Sequence, residues 1–268
     1  MKKWIKLTFL ACLLIFSTVS TAQDDMFVLA SQYSSTLKQG LISCWEMDET
    51  SGGFAYDSYA TNHMGIAGNT AINQSGILNR SYNFDGTNSQ LDLSSATDFA
   101  GLSAITISAW IYSTYTTTTD EYRIIASKLH SSWVSPYYQF QLRVRFGSQK
   151  VFEFTAGISN NFFTVTSSTN SYFTGFWRHI VGTYDGETGD VRLYVDGEYN
   201  VANTPVKIYG PTGTANTPFH IGDDSDIYSN NKNWNGKIDQ IAIWNRELTL
   251  SEISTLYNNG AGKHFSEW

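Results

Sequence analysis

The chain has 268 residues, of which 15% are charged and 15% aromatic, and its formal net charge is −7. No basic cluster offsets that acidity, which excludes nucleic acid and anionic membrane surfaces as partners. The charged fraction lies well under the roughly 25% of ordinary soluble domains, and Ser, Thr, Asn and Gly are abundant; this excludes a fold of long helices and suits strands joined by polar turns.

Met1-Lys2-Lys3 and Lys6 form a positive start, Leu7 to Val19 is mostly apolar, and Ser20-Thr21-Ala22 supplies small residues. The pattern predicts a secretory signal over residues 1–22, cleaved between Ala22 and Gln23. Its apolar run is shorter than the roughly 20 residues needed to cross a bilayer, so no membrane insertion is expected. Cleavage removes three lysines and no acid, taking the charge from −7 to −10. It also leaves Cys44 as the one cysteine, so the mature chain has no internal disulfide. Set between Ser43 and Trp45, Cys44 reads as a small buried hydrophobe. Residues 23–39 are polar and unpatterned, a linker ahead of a single domain over 40–268.

From Leu41 onward the pattern predicts strand after strand. Ile42 to Met47 comes first, then Leu91 to Leu93. Ile105, Ile107, Ala109 and Ile111 alternate with Thr106, Ser108, Trp110 and Tyr112, the period of a strand with two different faces. Arg123 to Ser127, Tyr138 to Phe146, Val151 to Ala156, Arg178 to Tyr184 and Val191 to Val195 follow. Asp196-Gly197 makes a tight hairpin turn, since both residues tolerate positive φ. Phe219 to Gly222 and Ile238 to Trp244 complete the series. One helix is predicted: Thr249 and Glu252 form a capping box, Leu250, Ile253, Leu256 and Tyr257 make an apolar stripe, and Gly260 ends it. Many short strands with turns between them mean a sandwich or a barrel.

Six segments in order carry a family resemblance. They are Leu41 to Gly53, Tyr82-Asn83-Phe84-Asp85-Gly86, Thr106 to Ile111, Trp177 to Gly186, Val191 to Gly197, and Trp234 to Asp239 with Ile243 to Arg246. Together they resemble laminin G-like domains of the concanavalin A-like lectin/glucanase superfamily. The resemblance implies an all-β, two-sheet antiparallel jelly-roll sandwich with one short C-terminal helix. It also implies that Trp45, Trp110, Trp177, Trp234 and Trp244 are packing residues. Lectins, polysaccharide-binding modules, adhesion domains, glycoside hydrolases and polysaccharide lyases share this fold, so function has to be read from sites.

Retaining glycosidases need two carboxylates about 5–5.5 Å apart. Enzymes of the laminarinase type in this superfamily carry Glu-x-Asp-x-x-Glu on a central strand. Here Glu46-x-Asp48 lies on the opening strand and is followed by Ser51, and Glu153 is the lone acid of the central strands. A lyase-like set would comprise Gln139, Gln141, Arg143, His179 and Tyr184, of which His179 and Tyr184 fall inside a structural signature. No catalytic residue is assigned.

The resemblance further implies one structural Ca2+ on the convex side, with Glu46, Asp48 and Asp239 as ligands and Asp85 as a looser candidate; Asp85 reads equally as a turn residue before Gly86. Sugar sites need aromatic faces and hydrogen-bonding groups. Trp133, Tyr137 and Tyr138 lie in a polar loop longer than a simple turn, and Tyr115 and Tyr122 flank the threonine-rich stretch Thr116 to Thr119. The function expected is a secreted, non-catalytic, lectin-like protein binding a polysaccharide or glycoconjugate. The alternatives are a surface adhesion or structural protein binding another protein, and a polysaccharide hydrolase or lyase. The location expected is extracellular, at the cell surface or in the periplasm.

Overall fold

The computed structural model describes residues 36–129, 138–158, 161–168, 174–203, 207–214, 217–223 and 232–268. The signal segment, most of the linker, Trp133 and Tyr137 lie outside the described residues. Gly40–Ser266 forms one compact unit.

The strands in chain order are β1 (Leu41–Trp45), β2 (Phe54–Ala55), β3 (Met64–Ala67), β4 (Ala71–Ser75), β5 (Arg80–Asp85), β6 (Gln90–Leu93), β7 (Ala104–Tyr112), β8 (Tyr122–Leu129), β9 (Tyr138–Arg145), β10 (Val151–Ile158), β11 (Asn161–Thr166), β12 (Trp177–Asp185), β13 (Asp190–Val195), β14 (Glu198–Tyr199), β15 (Phe219–Ile221) and β16 (Asn235–Trp244), and they are followed by helix α1 (Leu250–Tyr257). One sheet runs β14-β13-β12-β7-β16-β5-β4, with β1 added on β16; the other runs β11-β10-β9-β8-β15-β6-β3-β2. Every pairing is antiparallel. The molecule is thus an all-β, two-sheet sandwich of the jelly-roll type with one short C-terminal helix.

The core lies between the sheets. Ile105, Ile107, Ala109 and Ile111 of β7 face Phe140, Leu142 and Val144 of β9 and Phe152 and Phe154 of β10, all buried. Gly182 on β12 permits that approach, because a Cβ there would lie 2.3 Å from the Phe154 ring. At one end Phe219 stacks on Trp45 at 5.8 Å and meets Phe99 edge-on at 5.3 Å. Trp110, Trp234 and Trp244 are also buried, and Trp177 packs on Tyr112 at 5.7 Å.

Helix α1 covers the outer face of the first sheet, which is why the alternate residues of β7 are buried too. Tyr257 stacks over Trp110 at 5.8 Å and His179 at 6.2 Å, and Ile253 and Leu256 are buried beneath the helix. Both capping-box bonds form: Glu252 N–H donates to Thr249 Oγ1 at 3.3 Å and Thr249 N–H to Glu252 Oε2 at 2.9 Å. The helix ends sooner than expected. Asn258, in the left-handed region at φ 48°, stops it at Tyr257, and Gly260 closes the 3-10 turn that follows. Asp196 and Gly197 have φ of 53° and 80° between paired Val195 and Glu198, a two-residue hairpin turn as expected.

Candidate functional site

β1 ends at Trp45, so Glu46 and Asp48 lie past the strand. Met47, at φ 58°, turns the chain between them. They meet not by strand alternation but through a residue from the far end of the chain. His264 Nε2 is 3.0 Å from Glu46 Oε1 and 3.5 Å from Asp48 Oδ2. One ligand atom from each of Glu46, Asp48 and His264 lies within 4.8 Å of the others. Each is held from behind: Ser58 Oγ donates to Glu46 Oε2, Arg80 N–H to Asp48 Oδ1, and His264 Nδ1 is 2.9 Å from Ser266 Oγ. Two carboxylates and an imidazole can coordinate a divalent ion. The sequence reading missed His264, because 216 residues separate it from Asp48 and no spacing rule joins them.

The other two expected ligands are used differently. Asp239 is buried on β16, where its Oδ2 accepts from the N–H groups of Ile77 and Leu78 at 2.8 and 3.1 Å. Its Oδ1 is buried and accepts no hydrogen bond. Burial pushes the Asp239 carboxyl well above the ordinary carboxylate range against those donors, and the charge of Asp48 pushes the same way. Asp85 organises a turn, accepting from Thr87, Asn88, Ser89 and Asn69. Burial raises its pKa, but the Thr87, Asn69 and Asn88 donors outweigh it, and the carboxyl titrates well below its usual range. It sits at the opposite end of β5 from Arg80, about 17 Å along an extended strand.

The segment after Asp48 carries a second feature absent from the sequence reading. Phe54, Tyr56 and Tyr59 are 51%, 53% and 47% exposed. The loop beneath them is rigidly tied. The buried Asp57 carboxylate accepts from the N–H groups of Cys44 at 3.0 Å, Tyr59 at 2.9 Å and Asn62 at 3.3 Å. Glu49 accepts from Tyr56 N–H and from the Tyr82 hydroxyl, and Trp45 Nε1 donates to Asn62 O. Tyr56 meets His63 edge-on at 5.1 Å, and Tyr59 meets Phe265 at 6.4 Å, beside His264. Cys44, buried under this loop, has its thiol pKa pushed well up by burial and by Glu46, Asp57 and Asp239; it is an inert core residue.

The central strands of the second sheet hold a polar network on their outer side. Arg143 donates through Nε to Glu153 Oε2 at 2.7 Å and through Nη1 to Gln141 Oε1 at 2.9 Å. Gln141 donates to Ser127, Thr155 bonds Thr164, and Gln139 donates to Thr217. Gln139, Gln141, Glu153 and Thr155 are all buried. Glu153, the one acid of β8–β10, is therefore committed to Arg143. Asp92 on β6, bonded to His220 at 2.6 Å, is four strands away, about 19 Å at the usual strand spacing. Among the described residues of this sheet's outer face no two carboxylates approach glycosidase spacing. The lyase-like set is divided: Gln139, Gln141 and Arg143 belong to the second sheet, whereas His179 and Tyr184 belong to β12 of the first. His179 sits under Tyr257, bonded to Ser108 Oγ at 2.8 Å, and burial holds its pKa down at about 3. Tyr184 is a core residue whose hydroxyl donates to Gly210 O.

The expected sugar-stacking aromatics are placed as follows. Tyr115 packs edge-on against Phe146 at 5.2 Å, with Arg123 4.4 Å over its ring and its hydroxyl on Glu121. Tyr122 lies under Arg143 at 4.0 Å. Both rings are covered by the protein's own cations. Tyr138 opens β9, and Trp133 and Tyr137 lie outside the described residues. Next to Tyr115, a cleft of about 770 Å3 is lined by Thr116, Thr117, Thr118, Gly147, Ser148 and Lys150.

A family model, Laminin_G_3 of the concanavalin A-like lectin/glucanases superfamily, matches residues 85–254. The chain belongs to this superfamily. Over 89 residues it is 29% identical to the human adhesion G-protein coupled receptor D1, a match covering 33% of this chain and 10% of the receptor. Solved structures share the fold at low identity. Trypanosoma rangeli sialidase matches with a TM-score of 0.59 and 18% identity over 84% of this chain and 34% of that one. The receptor-binding domain of botulinum neurotoxin D matches at 0.63 and 14% over 84% and 54%. The binding domain of Paraclostridial mosquitocidal protein 1 matches at 0.64 and 18% over 84% and 53%. The superfamily member thus spans a tenth of the receptor, a third of the sialidase and about half of each toxin chain.

Proposed function

We propose that this superfamily member is a secreted, non-catalytic carbohydrate-binding protein. The observation that carries the reading is the exposed aromatic group Phe54, Tyr56 and Tyr59, held on a loop whose backbone is fixed by Asp57 and Glu49. Exposed rings on a pre-ordered backbone stack on sugar C–H faces with little ordering cost. The same surface carries the Glu46–Asp48–His264 cluster, which we assign to one divalent ion with a structural role. Calcium is the ion the family likeness implies, and the two carboxylates suit it. His264 adds a nitrogen, which suits zinc better than an all-oxygen calcium shell. The expected Trp133–Tyr138 loop remains part of the proposed glycan surface.

Non-catalysis is supported by the commitment of Glu153 to Arg143 and by the division of the lyase-like set between two sheets. The likeness to two toxin binding domains favours the same reading. A second reading, adhesion to a surface protein, is favoured by the likeness to an adhesion receptor. No helix among the described residues is long and apolar enough to cross a membrane; export follows from the signal segment read in the sequence. A glycan array with the mature protein, run with calcium, with zinc and with chelator, tests the proposal. Binding to a defined glycan that falls on Tyr56→Ala, Tyr59→Ala or Trp133→Ala supports it. A blank array with folded protein refutes it and leaves the adhesion reading, to be pursued by pull-down.

A further inference from the structure

Carboxylates gather around the exposed rings of the 54–59 segment. Glu49 Oε1 accepts from Tyr56 N–H at 2.7 Å, Glu46 Oε2 from Ser58 Oγ at 2.9 Å, and Asp57 Oδ1 from Tyr59 N–H at 2.9 Å. Asp98 reaches the same loop, accepting from the Asn62 side-chain amide at 3.2 Å. Asp48 accepts from Asn79 Nδ2 and from the backbone N–H, not the guanidinium, of Arg80. Among the described residues the donors to these five acids are neutral N–H and O–H groups, with His264 beside Glu46 and Asp48 the exception. Elsewhere Asp120, Glu121, Glu153, Asp190, Asp196 and Glu252 each meet an arginine side chain. Negative charge that no lysine or arginine offsets is therefore concentrated beside the exposed rings. An ion in the Glu46–Asp48–His264 cluster would offset the first two acids and leave Glu49, Asp57 and Asp98.

That charge selects among ligands. The rings of Phe54 and Tyr56 lie 6.4 Å apart, on alternate residues of an extended segment, which share a side. Aromatic faces attract ammonium groups, whereas the surrounding carboxylates repel a chain of uronic acids or sulfated sugars. In a β-linked glucosamine unit the C2 ammonium is equatorial, at the rim of the apolar C–H face. One such unit can therefore stack on a ring and hold its cation toward a neighbouring carboxylate at the same time. We propose that the 54–59 platform takes a cationic, glucosamine-containing polysaccharide rather than a neutral or an acidic one. The inference rests on the carbohydrate reading and names its substrate class; Glu49 and Asp98 supply the charge and Tyr56 and Tyr59 the stacking faces.

The test is calorimetry on the mature protein at mildly acidic pH, where the glucosamine amines carry a proton. The probes are oligomers of equal length: β-1,4-linked glucosamine, its fully N-acetylated counterpart, a cello-oligosaccharide and an oligogalacturonate, with polylysine of matching charge as the peptide comparison. The glucosamine oligomer should bind about tenfold tighter than the N-acetylated one, a margin that two or three exposed cation contacts supply. Added salt should erase that margin. Asp98→Asn keeps an acceptor for Asn62, and Ser51→Lys places a cation at an exposed position two residues from Glu49. Each should weaken glucosamine binding about threefold and leave the N-acetylated oligomer unchanged, whereas Tyr56→Ala should weaken both. Equal affinity for the two oligomers, or preference for oligogalacturonate, overturns the substrate class while leaving the carbohydrate reading intact. A glucosamine preference that survives Asp98→Asn, Ser51→Lys and Tyr56→Ala overturns the location. Polylysine binding as tightly overturns the glycan assignment, since charge alone would then account for it. Absence of binding to every oligomer, with a blank array, overturns both readings.

Discussion

Asp57 decides whether the aromatic loop is a fixed platform or a loose segment, and its substitution can be worked through in advance. Its carboxylate is 6% exposed and accepts three backbone N–H groups. Hydrogen bonds to a charged acceptor contribute roughly 1.5–3 kcal/mol each, and a buried donor left without a partner costs about 1–3 kcal/mol. In Asp57→Ala the buried Cys44 N–H loses its acceptor outright, whereas the Tyr59 and Asn62 N–H groups are only partly buried and recover water. The expected loss is about 3 kcal/mol, which for a domain of this size lowers Tm by roughly 6–12 °C. Asp57→Asn keeps the shape and one acceptor but turns an amide N–H2 toward N–H donors, so about half that loss is expected. Urea unfolding should show a lower midpoint with unchanged slope, as expected when stability alone changes. Glycan binding should fall further than the folded fraction explains, because Phe54, Tyr56 and Tyr59 lose their fixed spacing. A loss under about 1 kcal/mol in Asp57→Ala, or glycan binding that stays at the wild-type level, would refute the reasoning.

Three further outcomes are expected. His179 is held near pKa 3 by burial, against about 6.5 in the unfolded chain. The unfolded state therefore takes up a proton first, so the contribution of the neutral imidazole is complete above pH 6.5. It declines by about 1.4 kcal/mol per pH unit as pH falls toward 3. The ring is enclosed by Ser108, Trp110 and Tyr257, and the Asp196 carboxylate, which could offset its charge, binds its backbone N–H instead. Urea midpoints between pH 6.5 and 5 should fall in wild type and flatten in His179→Gln; equal slopes would contradict this. Gly182→Ala should destabilise by about 1–3 kcal/mol, since its Cβ would meet the Phe154 ring at 2.3 Å. Phe154→Leu should restore part of that loss, measured by thermal melts of the single and double variants. His264→Ala should reduce zinc affinity at least tenfold and calcium affinity little, read by calorimetry; a zinc affinity unchanged in the variant would reject His264 as a ligand.

The framework was legible where the sequence alternates. β7, β12 and β13 show period-two patterning because one side packs on the opposite sheet. The capping box of α1 was legible because it depends on residues three apart. β3, β4 and β11 were not foreseen: Ala71–Ser75 is half exposed along its length, and an edge strand of polar residues carries no hydrophobic period. The helix stop was misplaced because asparagine also enters the left-handed region, and Asn258 comes before Gly260. The site was the least legible part. Glu46 and Asp48 were found from a motif, whereas His264 joins them only because the chain after α1 returns past β1. Tyr115 and Tyr122 looked available in the sequence, and the structure covers both with arginines drawn from β8 and β9.

The two broad faces of the sandwich explain why binding should occur at its edges. On the second sheet the outer polar groups Arg143, Glu153, Gln141 and Ser127 bond one another, and a ligand there would have to compete with those bonds. On the first sheet α1 lies across His179 and Trp110, and any ligand there would have to displace Tyr257 from two stacked rings. What remains are the loops that meet the strands, among them the 54–59 loop with its exposed aromatic rings. If those rings stack on successive units of one extended glycan, Tyr59→Ala should weaken binding to a polysaccharide more than binding to a monosaccharide, read by calorimetry. Equal losses on both would mean that a single sugar unit makes all the contacts, and the loop would then be a one-unit site rather than a platform for a chain.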